Sequence, residues 1–197
     1  MDTQIRVLFS HLDEEVAQLF YRWKIFQQLF GSGTENLNLL NQSGSNVFAL
    51  LQGLIIDNVF LTLCRLTDPQ RIGSHENLSI QYLLGRMETT LTDKVRKDLH
   101  GQFTELEAAT KKLRSHRSKR IAHLDLVHAV KPEELPPVEY GDLENALRLL
   151  ESIMQDLYLV VWNAAAHYRE VSIAYGCDGD HLLRILRDAH DRRDSKE

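Results

Sequence analysis

The sequence predicts an all-α protein: an up-and-down bundle of four long helices with short helices between them. Three observations carry this. Apolar residues recur at steps of three, four and seven along four segments, no stretch alternates with the period of a strand, and turn residues separate the segments.

The elements follow in order. Over residues 2–30, Ile5, Leu8, Phe9, Leu12, Val16, Leu19, Phe20, Trp23 and Phe26 form one helical stripe, stopped by Gly31-Ser32-Gly33. The short apolar piece at residues 37–40 predicts a helical turn. Ser43-Gly44-Ser45 then opens a second long helix over about residues 46–67. Asp68-Pro69 ends it, because proline disfavours a helical conformation in the residue before it. Residues 70–77 read as a polar loop, and residues 79–87 as a short helix. Thr90 or Thr92 can cap the third long helix, which carries Leu91, Val95, Leu99, Phe103, Leu106 and Leu113. Its end is open, since apolar residues vanish over 114–120. Three prolines and several acids mark residues 130–141 as a loop. The last long helix spans about residues 143–171, with Leu147, Leu150, Met154, Leu157, Val161, Ala164 and Tyr168 on one stripe. Leu182, Leu183, Ile185 and Leu186 suggest a short terminal helix. Residues 1–187 are expected to form a single domain, followed by a polar, frayed tail over 188–197.

Composition narrows the function classes. A formal charge of −5 argues against a broad basic face for duplex DNA, so any nucleic-acid contact must be a local patch. Cys64 and Cys177 show no CxxC or zinc spacing and fit a reducing cytoplasm. The N-terminal residues lack the apolar core of a signal peptide. Residues 47–66 are the greasiest run, but Gln52, Asp57, Asn58 and Arg65 interrupt it. A buried bundle helix is therefore expected rather than a membrane span, and the protein is expected to be cytoplasmic.

The chemistry-bearing stretch is residues 111–125. It holds six cations between Lys111 and Arg120, and Arg117 is followed by five residues and then His123. Cutting RNA needs a group to take the proton of the 2′-hydroxyl, a group to protonate the leaving oxygen, and positive charge for the transition state. Histidine titrates near neutral pH and can do either proton transfer. Arginine stays charged and offers a planar fork to phosphate oxygens. On an ideal helix six residues advance by roughly 600°, leaving the two side chains about 120° apart. They converge only through a helix end or break near Ser115 or Ser118, or through a second subunit. The plainer reading is a solvated basic helix terminus.

The stretch Arg117-Ser118-Lys119-Arg120-Ile121-Ala122-His123-Leu124-Asp125 resembles the arginine, four to six residues, histidine signature of HEPN-domain proteins. Asp57-Asn58, Arg65-Leu66-Thr67-Asp68-Pro69 and Asn77-Leu78-Ser79-Ile80 upstream extend the resemblance to the abortive-infection AbiU-like branch. The resemblance implies a helical bundle that dimerises and brings two copies of the motif into one cleft. It also implies a metal-independent endoribonuclease acting as a toxin or in antiviral defence, in some members paired with a nucleotidyltransferase-like antitoxin. By that resemblance Arg117 would hold the scissile phosphate and His123 would move the proton. Active members often carry Asn, Asp or His directly after the arginine, where this chain has Ser118. Some carry a tyrosine two residues after the histidine as a modification site, where this chain has Asp125, so control by that route is not expected.

Other residues have both a functional and a plain reading. Arg120, one turn before His123, can contact the same phosphate or be a surface cation. Asp57 lies in an apolar helix, where a carboxylate needs a partner; it can orient Arg117 or His123, or pair with Arg65. Asp68 reads as helix-end chemistry with Pro69. His100, His116, His123, Asp125 and His128 match no zinc spacing, so neither metal nor cofactor is expected. Gly31-Ser32-Gly33-Thr34 is a turn rather than a phosphate loop. Phe20, Trp23 and Phe26 read as core or dimer contact.

The expectation is therefore a cytoplasmic, homodimeric endoribonuclease with a composite site of Arg117 and His123 from both chains, leaving a 2′,3′-cyclic phosphate. Two rivals stand beside it. One is a catalytically silent module that binds RNA or nucleotide, favoured by Ser118. The other is a structural partner in a defence complex, with residues 111–120 docking an acidic protein.

Overall fold

The computed structural model describes residues 2–123, 125–131 and 135–194. Leu124 of the motif, residues 132–134 of the proline-rich loop and residues 195–197 of the tail lie outside the described residues. The fold is all-α, as the helical periodicity requires. Its helices are α1 (Thr3–Phe30), α2 (Thr34–Leu66), α3 (Ile80–Met87), α4 (Asp93–Ala109), α5 (Lys111–His116), α6 (Leu126–Val130), α7 (Tyr140–Trp162) and α8 (Gly179–Asp194). Four of them, α1, α2, α4 and α7, are long, and α8, expected to be short, has 16 residues against the 17 of α4.

The chain falls into two compact units. The first comprises Met1–Ala17 and Phe60–Tyr168. Its core joins Phe9, Leu12 and Val16 of α1 to Leu83, Leu84 and Met87 of α3, Leu99, Phe103 and Leu106 of α4, and Leu147, Leu150 and Met154 of α7. Within it α4 and α7 pack along their length. Serine and threonine caps start two of these helices, each satisfying a backbone N–H that the first turn leaves without a partner. Ser79 Oγ accepts from Tyr82 N at 3.3 Å, and Thr92 Oγ1 from Val95 N at 3.4 Å. The phenol of buried Tyr168 donates to Asp13 Oδ1 at 2.5 Å, and burial raises its pKa above the ordinary tyrosine range.

The second unit comprises Gln18–Val59 and Arg169–Glu197. Leu29, Leu40 and Leu183 form its buried centre, with Ile25, Leu39, Phe48 and Leu186 packed against them. Gln28 ties α1 to the start of α8: Gly179 N donates to Gln28 Oε1 at 3.0 Å, and Gln28 Nε2 donates to Asp180 Oδ2 at 2.9 Å.

Several boundaries differ from the sequence reading. The helical turn expected at residues 37–40 belongs to a longer piece starting at Thr34. Element α2 is two helices that meet at a kink at Gly44, whose backbone is non-helical (φ 168°, ψ 66°), where the second long helix was expected to open. Residues 70–77 hold a small antiparallel hairpin, β1 (Arg71–Ile72) and β2 (His75–Glu76). Gly73, at φ +60°, supplies the left-handed turn residue that so short a hairpin requires. The third long helix breaks at Thr110, whose buried hydroxyl donates back to Glu107 O at 3.0 Å, and resumes as α5. The last long helix stops at Trp162, because Asn163 turns left-handed (φ +54°). Ala164 and Tyr168 therefore do not continue its stripe, and Tyr168 opens a separate 3-10 turn. Residues 188–194, read as tail, belong to α8.

The apolar middle of α2 is not the buried helix expected. Val47, Leu50 and Leu54 are 59%, 62% and 57% exposed, and Leu51 is exposed beside them. Their spacing of three and four places them on one face. By length and composition α2 is the one described helix that meets the requirement for crossing a membrane.

Candidate active site

All residues of this site lie in the first unit. The segment after α5 carries the motif. Instead of ending, the helix widens into a single π turn over Arg117–Ile121, closed by Ala122 N donating to Arg117 O at 2.8 Å. The chain leaves helical structure before His123, which is exposed. The helix is therefore distorted at Ser118, by a turn of the π type that recurs at functional sites. Ser118, exposed, donates from Oγ to Ser115 O at 3.3 Å, and Arg120 is exposed.

Arg117 is held by Asp68. Its Nη1 donates to Asp68 Oδ1 at 2.6 Å and Oδ2 at 2.8 Å. A guanidinium has five N–H donors, and both bonds here come from one nitrogen. Among the described residues Nε and Nη2 make no other hydrogen bond, and they can face an anion on a side chain that is 30% exposed. The Asp68 carboxylate, by hydrogen bond and charge, raises the Arg117 pKa further, so the cation is permanent.

Asp68 is only 7% exposed and anchors a second cation. Arg114 Nη1 donates to Asp68 Oδ1 at 2.9 Å, and Arg114 Nη2 donates to Thr67 Oγ1 at 2.7 Å and to Thr67 O. Thr67 and Thr110 face each other with hydroxyl oxygens 3.3 Å apart. Two arginines on one carboxylate leave a local excess of positive charge. Cys64 is buried beside this cluster. Burial pushes its thiol up to about 11 despite the opposing pull of Arg114 and Arg117, so it stays protonated and unreactive.

Past His123, Asp125 caps α6: Oδ1 accepts from His128 N at 3.3 Å and pairs with His128 Nδ1 at 2.6 Å. Lys119 reaches the other oxygen at 3.4 Å. The His128 contacts, with Lys119, hold the Asp125 carboxyl down at about 2. His116 Nε2 lies 2.8 Å from Pro136 O, so that nitrogen carries the proton, and the ring stands edge-on to Phe60 at 5.6 Å. Among the described residues no group of three or more His, Cys, Asp or Glu gathers as a metal set.

The structure thus sorts the expected site residues. Arg117, Ser118 and Arg120 share the π turn, with His123 two residues beyond it. Asp57 lies on α2 in the second unit, half-buried, and Arg65, the partner considered for it, pairs with Glu15 at 2.5 Å. The carboxylate that orients Arg117 is Asp68, read from the sequence only as helix-end chemistry. Arg114 was not singled out at all. A signal was available: Arg114 and Arg117, three apart, share a helix face, where like charges repel mildly and a carboxylate between them is favourable.

An all-α fold with an arginine–histidine motif on a distorted helix end is the arrangement expected of a HEPN protein. The family model for AbiU2 of the HEPN group matches residues 2–182, nearly the whole chain, and the chain belongs to that family. Membership makes it an abortive-infection defence protein of a fold group whose members are often ribonucleases. No curated protein and no solved structure matches it.

Proposed function

We propose that the protein is a metal-independent endoribonuclease whose site is built on Arg117 and His123. The observation that carries this reading is the way Asp68 holds Arg117. One nitrogen is anchored, and the remaining N–H groups stay available to phosphate oxygens. His123, exposed beyond the π turn, supplies the proton transfer.

In the reaction the 2′-oxygen loses its proton and attacks the adjacent phosphorus. The bond to the 5′-oxygen breaks, and that oxygen takes up a proton. The products are a 2′,3′-cyclic phosphate and a 5′-hydroxyl. Arg117 stabilises the charge that builds on the phosphate oxygens, a contribution of about 10²–10³ in rate for a well-placed donor. Two transfers need two proton-moving groups, which a second copy of the chain provides. The exposed apolar face of α2 at Val47, Leu50, Leu51 and Leu54 supports a homodimer, because such a face is costly to leave in water. Mapping RNA ends after incubation with the purified protein in EDTA tests the reading: cyclic phosphates are expected, and their absence over a well-folded dimer counts against it.

A second reading has one feature in its favour. Ser118 stands where active relatives often carry Asn, Asp or His, and a silent RNA-binding module would have the same fold. That protein would bind RNA in a salt-dependent way and release no cyclic phosphate.

A further inference from the structure

A polar groove of about 420 Å³ opens within the first unit, lined by Gln70, Arg71, Glu76, Tyr82, Gly85 and Arg86. Its size suits a nucleotide-sized group. The groove is tied to the residue that holds Arg117: Gln70 and Asp68 are two peptide links apart, so their Cα atoms are at most about 7.6 Å from each other. Three hydrogen bonds fix that connection. Asn77 Nδ2 donates to Pro69 O at 2.9 Å, Asn77 N donates to Gln70 O at 2.9 Å, and Gln70 N donates to Gln81 Oε1 at 3.0 Å. The base of the β1–β2 hairpin is thereby pinned to the segment carrying Asp68.

The lining has the chemistry of a single-strand track. Arg71 and Arg86 are exposed; Arg86 donates to the neutral Gln4 Oε1 at 2.9 Å and has no carboxylate partner among the described residues. Arg71 faces Glu76 in the strand register without forming an ion pair among the described residues. Tyr82 offers a half-buried ring. Gly85 keeps the wall low: a Cβ there would stand 3.3 Å from Gln70 Oε1. Cations that follow a backbone, with an aromatic ring among them, are what single-stranded nucleic acid requires. One glutamate against two arginines keeps the lining only mildly positive, which suits one strand rather than a duplex.

We infer that this groove carries the RNA strand flanking the scissile phosphate, with Arg71 and Arg86 on its phosphates and Tyr82 against a base. The inference rests on the ribonuclease reading.

The test uses the full-length protein and a fluorescein-labelled, mixed-sequence single-stranded RNA. Binding is measured across a salt series in a His123→Ala background, and cleavage with His123 intact. Arg71→Gln with Arg86→Gln should weaken binding at least tenfold and flatten the salt slope by roughly 1.4, about 0.7 for each lost phosphate contact. KM should rise while kcat is retained. Arg96→Gln, a half-buried arginine paired with Asp93 at 2.6 Å, serves as the charge control and should change neither. Unchanged affinity and slope in the double variant, with the parent protein binding and cutting RNA, would overturn the groove and leave the ribonuclease standing. A parent protein that neither binds nor cuts the RNA would overturn both.

Discussion

Arg117 meets Asp68 through a single nitrogen: Nη1 lies 2.6 Å from one carboxylate oxygen and 2.8 Å from the other. A fork-to-fork pair would have used Nη2 as well and satisfied the carboxylate at the expense of the phosphate site. The one-nitrogen geometry instead fixes the guanidinium plane and keeps donors available. Because Arg114 shares Oδ1, at 2.9 Å, the same carboxylate also fastens α5 to the end of α2.

Asp68→Asn removes the buried carboxylate that faces both Arg114 and Arg117. Breaking such a pair costs about 3–5 kcal/mol when it is fully buried. Both arginine side chains are partly exposed, so about 2 kcal/mol is expected here. For a chain of this size that lowers the melting temperature by about 4–8 °C in differential scanning calorimetry. An unchanged transition would show that the clamp contributes nothing.

Arg117→Lys retains a positive charge but loses the planar donor set. If the donors beyond Nη1 act on the phosphate, RNA cleavage should fall by about 10²-fold at saturating substrate, with the circular dichroism spectrum preserved. Activity within a few-fold of the parent would mean that charge alone suffices.

The Asp125–His128 contact has a defined acid limit. The folded carboxyl is depressed to about 2 from its ordinary value near 4. Its contribution to α6 is therefore complete above pH 4 and is lost as the pH falls from about 4 through 2. Carboxyl-detected NMR should place the Asp125 midpoint near 2 and show the amides of α6 shifting over the same range. A midpoint near 4 would remove the contact from the folded state.

Leu50→Glu with Leu54→Glu places two charges on the exposed face of α2. If the proposed homodimer uses this face, sedimentation should find the double variant monomeric with helicity unchanged, because neither side chain is buried in the chain itself. A persisting dimer would move the interface elsewhere.

Legibility followed the kind of force involved. The stripe from Ile5 to Phe26 read correctly as one helix, because burial repeats with the helical period and Gly31 ends it. The entry of the second long helix also read correctly, since Gly44 is the non-helical residue at which α2 kinks; the piece before it was read too short, because it starts at Thr34. The end of α7 was misplaced because the apolar stripe runs on through Ala164 and Tyr168, while a single left-handed Asn163 stops the helix. At the site, the motif residues were visible as chemistry. Asp68 was not, because its role depends on a contact 49 positions away, and a single sequence gives no pairing at that range.

The most direct test compares wild type with His123→Ala on total RNA in EDTA, with 2′,3′-cyclic phosphate ends mapped. Cleavage by the wild type alone, with the variant folded and dimeric, is the expected result. Equal cleavage by both would contradict the assignment of His123 and with it the site described above.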